Sequence, residues 1–125
     1  MASLASVGCL TRALTADWRD HPATRGLYAR LVGEASAVGR AEGLVVDDAT
    51  VEVTLAAPDK LGPAHRTSMA ADLERGHRLE VEAIQGEVVR RARRHGIPVP
   101  TFETAYAVLQ HADSRAVAAE PVAVR

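Results

Sequence analysis

The chain has 125 residues, 47% of them hydrophobic, which is one domain's worth of chain and enough for a single core. Its 15 basic and 16 acidic residues leave a net charge of −1, so no global field draws it to nucleic acid or an anionic membrane. Cys9 is the sole cysteine, which excludes an intrachain disulfide, and its apolar setting makes it a packing residue. No basic region followed by an apolar run marks the N-terminus, and no stretch approaches the roughly 20 apolar residues that cross a bilayer. The expected setting is cytoplasmic.

Aromatic residues are confined to Trp18, Tyr28, Phe102 and Tyr106, while alanine, valine and leucine dominate. That composition favours closely packed helices over a sheet, so the expected fold is all-α, a compact bundle of about five to six helices. Ala2 to Leu14 carries Leu4, Val7, Leu10 and Leu14 at helical spacing and begins without a capping side chain. Asp20 is placed to cap a long helix with Pro22 in its first turn, an inner stripe of Leu27, Leu31, Ala35, Val38 and Ala41, and a stop at Gly43. Asp47 or Asp48 then caps a third helix through Val51, Val53, Leu55 and Ala56, where frequent Val and Thr leave a strand as the alternative. Pro58, Gly62 and Pro63 make a loop around Lys60.

From Arg66 to Pro100 the helical pattern is clear and some polar residues are not explained by packing. Ser68 opens a short helix with Met69 and Leu73 one turn apart and Gly76 past its end. A second helix begins near Leu79 or Glu80, with Val81, Ile84, Val88 and Ala92 on one stripe, and stops at Gly96 and Pro98. Thr101 is placed to cap a last helix bearing Phe102, Tyr106 and Leu109. From Asp113 onward no apolar period is sustained, so residues 1–112 are expected to form the domain and 113–125 a loose tail.

Taken as physics alone, Glu80 is a first-turn carboxylate favoured by the helix dipole, and Ser68 is a helix cap. Gln85, on the inner face of its helix, reads as hydrogen-bonded core. The basic run Arg90, Arg91, Arg93, Arg94, His95 fits the last turns of a helix, with Glu87 able to pair with Arg90 and Arg91. It has no interleaved aromatics of the kind nucleic-acid binding uses. The five histidines are scattered, none at ligand spacing from another or from Cys9, and no GxSxG occurs, so neither a metal site nor a serine hydrolase is expected.

The run Ser68-Met69, Asp72, Gly76, Glu80, Ile84, Gly86 and the closing His95-Gly96-Ile97-Pro98-Val99-Pro100 resembles the C-terminal helical domain of the ketopantoate (2-dehydropantoate) 2-reductases, a fold akin to the C-terminal domain of 6-phosphogluconate dehydrogenase. A weaker echo runs from Ala2-Ser3-Leu4-Ala5 to Leu10-Thr11-Arg12, so the resemblance covers roughly residues 2 to 112. It implies an NADP-dependent reduction of a 2-oxo acid in pantothenate synthesis, with Ser68 hydrogen-bonding the substrate and Glu80 contacting the nicotinamide nucleotide. The family's catalytic lysine falls upstream of Met1, so no catalytic residue is assigned within the chain. Two asparagines that hold substrate in better-known members fall at Met1 and Ala5, and Gln85 stands where those members have asparagine.

The chain contains no GxGxxG, and an N-terminal Rossmann domain is expected to be absent from it. Lys60, the one lysine, lies in the Pro/Gly loop. The resemblance thus implies a substrate-side domain inactive by itself; a non-catalytic dimerisation or partner-binding module, or a truncated gene product, is the alternative. A homodimer or a separately encoded Rossmann partner is the implied assembly.

Overall fold

In the computed structural model, which describes residues 1–121, seven α-helices are joined by short connections, and no strand occurs among the described residues. The all-helical expectation holds. The first helix, α1 (Ala2–Thr11), is sandwiched between the others. Its Ser3, Ser6, Val7, Gly8 and Cys9 are all buried, and their small size lets neighbouring backbones come close. Two hydroxyls of the helix are returned to its own backbone: Ser6 Oγ donates to the Ala2 carbonyl at 2.7 Å and Thr11 Oγ1 to the Val7 carbonyl at 2.8 Å. Arg12 closes α1 in the left-handed conformation at φ 53°, three residues short of the expected length.

A short helix that the sequence pattern did not suggest follows, α2 (Thr15–Asp20), before the long α3 (Pro22–Ala41). Asp20 does not cap α3: it ends α2 and pairs with Arg19 at 3.0 Å, while α3 starts at His21 with no side-chain cap. Pro22 occupies the first turn as expected, and Gly43, past the helix end, takes φ 85°. Leu31 and Val38 of the expected stripe are buried, as are Tyr28 and Val32 on the flank, because α2 and α7 widen the covered face. Trp18 of α2 stacks obliquely on Tyr28, ring centres 5.3 Å apart.

Asp47 caps α4 (Asp48–Ala56), accepting from the Thr50 amide at 2.8 Å. The segment is helical, yet it buries none of its residues fully, and Val53 stays exposed. Polar reach from α3 holds it instead: Tyr28 Oη donates to the Thr54 carbonyl at 2.6 Å, and Arg25 donates to the Leu55 carbonyl and pairs with Asp59 at 2.9 Å. Asp59 and Lys60 lie in a 3₁₀ turn, Ala57–Lys60, inside the expected loop.

Next come α5 (Ser68–Glu74), an irregular connector, a π-helical turn (Glu82–Gly86), α6 (Glu87–His95) and α7 (Pro100–Ala119). Gly96 ends α6 at φ 65°. Thr101 does not cap α7. The carboxylate of Glu34, on α3, accepts from the amides of Thr101 and Phe102 at 2.9 Å each, so the cap comes from across the bundle. α7 runs through Asp113 to Ala119, inside the expected tail, of which 122–125 lie outside the described residues.

Two apolar clusters meet at α1. One gathers Val7, Leu31, Val89 and Phe102, and the other gathers Ala5, Cys9, Met69, Val81 and Leu109. Ala5, Val7 and Cys9 thus serve both sides of one helix, which is why α1 needs small side chains all round. Burial pushes the Cys9 thiol up to about 11, as befits a packing residue.

Candidate functional site

The second cluster carries a hollow on its outer edge. The Thr67 hydroxyl accepts from the Ala70 amide at 3.2 Å, so the cap of α5 is Thr67 and Ser68 is the first helical residue. Ser68 is thereby released from capping, and its exposed hydroxyl makes no hydrogen bond among the described residues. Met69, its neighbour, is buried and anchors the turn.

After Glu74 the chain leaves the helix, with Gly76 at φ 71°, and runs irregularly through Gly76–Glu80. Helix resumes later than expected, as the π turn. Leu79 and Val81 are buried, which turns the intervening Glu80 outward, to where it is exposed. The Glu80 carbonyl accepts from the Ile84 amide at 3.1 Å, which puts Glu80 at the helix start where the dipole favours its charge, while its carboxylate caps no amide. Ser68, Met69, Asp72, Arg78, Glu80 and Ile84 line one hollow of about 370 Å³. The structure therefore brings Ser68 and Glu80 to a common cavity.

The π turn sets the phase behind this wall. The Gly86 amide donates to the Val81 carbonyl at 2.8 Å, five residues back, which leaves the Glu82 carbonyl without its usual partner. The Arg90 guanidinium donates to that oxygen, and also reaches the Glu82 carboxylate at 3.1 Å. Tyr106 Oη donates to the same carboxylate at 2.7 Å. These donors, Tyr106 first, hold the Glu82 carboxyl below the usual carboxylate range. A Cβ at Gly86 would stand 3.0 Å from both Arg90 and Glu82 and 3.2 Å from the Tyr106 ring, so this network has room for glycine alone without adjustment.

Gln85 is fully buried, as its inner-face position suggested. Its Nε2 donates to Ser6 Oγ at 2.9 Å and lies 3.6 Å from Met69 Sδ, while Oε1 has no partner among the described residues. Asp72, on the hollow's wall, stands 3.6 Å from His77 Nδ1. The basic run on α6 is tied into ion pairs: Arg90 and Arg91 reach Glu87 at 3.1 and 2.8 Å as expected, and Glu42 at the end of α3 gathers Arg94 at 3.2 Å and His95 at 3.4 Å. Among the described residues no three His, Cys, Asp or Glu side chains converge as a metal site, and no helix is long and apolar enough to cross a membrane.

Sequence reasoning passed over Arg78 and Asp113. Arg78 Nε donates to Asp113 Oδ1 at 3.0 Å and Nη2 to Oδ2 at 3.4 Å, and the Leu79 amide donates to the same Oδ1 at 2.8 Å. The irregular connector is thus fastened to α7 beside the hollow. No local pattern could reveal a partner 35 residues away.

The bundle thus carries a polar hollow beside the connector that joins α5 to the π turn. Residues 1–113 match the family model "Ketopantoate reductase PanE/ApbA C terminal", and the chain belongs to that family. It is similar to the 2-dehydropantoate 2-reductase of Halobacterium salinarum, 40% identical over 75 residues, covering 60% of this chain and 24% of that one. With that of Mycobacterium tuberculosis it is 40% identical over 78 residues, 59% of this chain and 25% of the relative. Among solved structures, a dimeric ketopantoate reductase from Staphylococcus aureus superposes with a TM-score of 0.86 at 32% identity, over 91% of this chain and 40% of that one. A D-mandelate dehydrogenase bound to NADH shares the fold, TM-score 0.80, at 16% identity. The chain spans about a quarter of the length of the curated relatives it matches.

Proposed function

We propose that the chain is the substrate-side helical domain of an NADP-dependent 2-dehydropantoate 2-reductase, which reduces ketopantoate to pantoate on the route to pantothenate and coenzyme A. The observation that carries the reading is the shared hollow: Ser68 and Glu80, twelve residues apart, both line it, and neither side chain is used up by capping a helix. Ser68 presents a hydroxyl that can donate to an oxygen of the 2-oxo acid. Glu80 presents an exposed carboxylate that can accept from a nucleotide hydroxyl or amide. When bound, the nicotinamide supplies the hydride. These 125 residues contain no Gly-rich phosphate turn, and Lys60 is not among the residues that line the hollow. Mixed with NADPH and ketopantoate, the isolated chain is expected to show no loss of nicotinamide absorbance.

The test is a fusion of this chain to all of the Staphylococcus aureus enzyme that precedes the matched region, which supplies both the nucleotide-binding domain and the family's lysine. Ketopantoate-dependent NADPH oxidation is expected, with kcat/KM falling about tenfold or more in Ser68→Ala and in Glu80→Gln. A fusion that binds NADPH but turns over equally well with both substitutions overturns the assignment.

One observation favours a second reading, a dimerisation or partner-binding module that pairs with its own copy or with a separate Rossmann domain. A second, largely apolar groove of about 330 Å³ runs between α3 and α6, with Met1, Leu44, Ile84 and Val88 on its walls. Sedimentation of the chain over a range of concentrations separates the cases, since a monomer throughout rules out self-association.

A further inference from the structure

We infer that Arg78, aligned by Asp113, receives the carboxylate of the substrate in the Ser68 and Glu80 hollow and makes that hollow selective for anionic oxo acids. The inference rests on the reading of the hollow given above and adds to it the group that recognises charge.

Three of the hollow's lining residues are ionisable, and two of them, Asp72 and Glu80, are acids. A 2-oxo acid entering such a space meets repulsion from both, and a charge buried beside like charges is excluded unless a cation offsets them. Arg78 is the one basic residue among those that line the hollow. His77 lies beside Asp72 but not on the wall.

The guanidinium is also held in a fixed orientation. Two of its nitrogens face the Asp113 carboxylate, and that carboxylate is itself fixed by the Leu79 amide at 2.8 Å. Asp113 is largely covered, with 14% of its side chain exposed against 52% for Arg78, so the anchor is the stiff end of the pair and the guanidinium the open end. Nη1 has no hydrogen-bond partner among the described residues, and the planar fork that presents it matches the geometry of a carboxylate. Ion pairing to Asp113 does not consume the cation, because an arginine has five donors and this contact uses two. Asp113 acts here as a positioning residue.

The experiment titrates the ¹⁵N-labelled chain, at millimolar ligand, with 2-dehydropantoate and separately with its neutral methyl ester, following the amides of residues 68–86. The acid is expected to perturb the hollow and to bind more tightly than the ester. Arg78→Gln should weaken acid binding about tenfold while leaving the ester unchanged. Arg78→Lys keeps a charge but loses the fork and should fall between, and Asp113→Asn should weaken the acid alone, by less than Arg78→Gln. If Ser68→Ala weakens the acid but Arg78→Gln and Arg78→Lys do not, the role of Arg78 is overturned while the reading of the hollow stands. If the acid perturbs only residues outside the hollow, both fall. Should Arg78→Gln lose the dispersed amide spectrum of the fold, Arg78→Lys decides: unchanged discrimination between acid and ester overturns the inference.

Discussion

The seam where α1 lies against α3 and α7, and the hollow beside the connector between α5 and the π turn, are built by opposite means. At the seam every side chain is accounted for by burial. Val7, Leu31, Val89 and Phe102 exclude water, and even the buried hydroxyl of Ser6 is satisfied within its own helix. Along the hollow, Ser68 and Glu80 are exposed, are not needed as caps, and sit on elements pinned from outside, by Thr67 on one side and Asp113 on the other. The contrast teaches which polar residues to suspect. Where a structural duty is visibly performed by a neighbour, the residue relieved of it is the better candidate for chemistry.

If the seam supplies the stability, the largest effect belongs there. Phe102 has no exposed surface and packs with the core that α1 and α3 share, so Phe102→Ala is expected to cost about 3–5 kcal/mol. Urea denaturation followed by circular dichroism reads it directly. A loss below about 1 kcal/mol would mean that the seam collapses around the gap and is not the rigid half of the comparison.

Next in size is the cap that crosses the bundle. Glu34→Ala removes the acceptor shared by the Thr101 and Phe102 amides and is expected to cost about 1–2 kcal/mol, with Glu34→Gln costing less because one acceptor oxygen remains. Equal stability of all three proteins would show that water caps α7 as well as the carboxylate does.

The helical class, the stops at Gly43 and Gly96 and the Asp47 cap were all readable, because each rests on residues within one or two turns of one another. Readings fell short where a partner is distant along the chain or an element is too short to show a pattern. Thr101 looked like a cap because no local pattern could announce a carboxylate 67 residues earlier, and the partners of Asp113, 34 and 35 residues back, are equally out of local reach. Asp20 looked like a cap because α2 is only six residues long and lacks an apolar period of its own. That Ser68 and Glu80 share one hollow was implied by the resemblance alone, since local chemistry made each a helix-terminus residue. Arg78 was not legible, since one arginine among many has no distinguishing pattern until the fold turns it toward a hollow.

A smaller effect sharpens the comparison at the hollow's own edge. Thr67→Ala should cost about 1 kcal/mol, the usual worth of a lost helix cap, whereas Ser68→Ala, one residue on, should stay within about 0.5 kcal/mol of the parent. Thermal melts of the two variants side by side check it. If Ser68→Ala proves the more damaging, the hydroxyl has a structural duty and loses its standing as a free donor.

The smallest effect is a dependence on pH. Hydrogen bonds from the Arg78 guanidinium, then from the Leu79 amide, hold the Asp113 carboxyl below the usual carboxylate range. A group depressed in the folded state stabilises fully above its unfolded value, about 3.9 for Asp, and that contribution is lost as the pH falls through the folded value. Solvent around the half-open guanidinium screens the pair, which keeps the contribution below that of the caps. Asp113→Asn should therefore be less stable than the parent at neutral pH, with the gap closing only in strong acid, as urea midpoints across the acid range would record. A gap that stays constant with pH would mean that Asp113 acts through shape and not charge. In that case the guanidinium is not electrostatically aligned, and the hollow would differ from the seam in exposure alone.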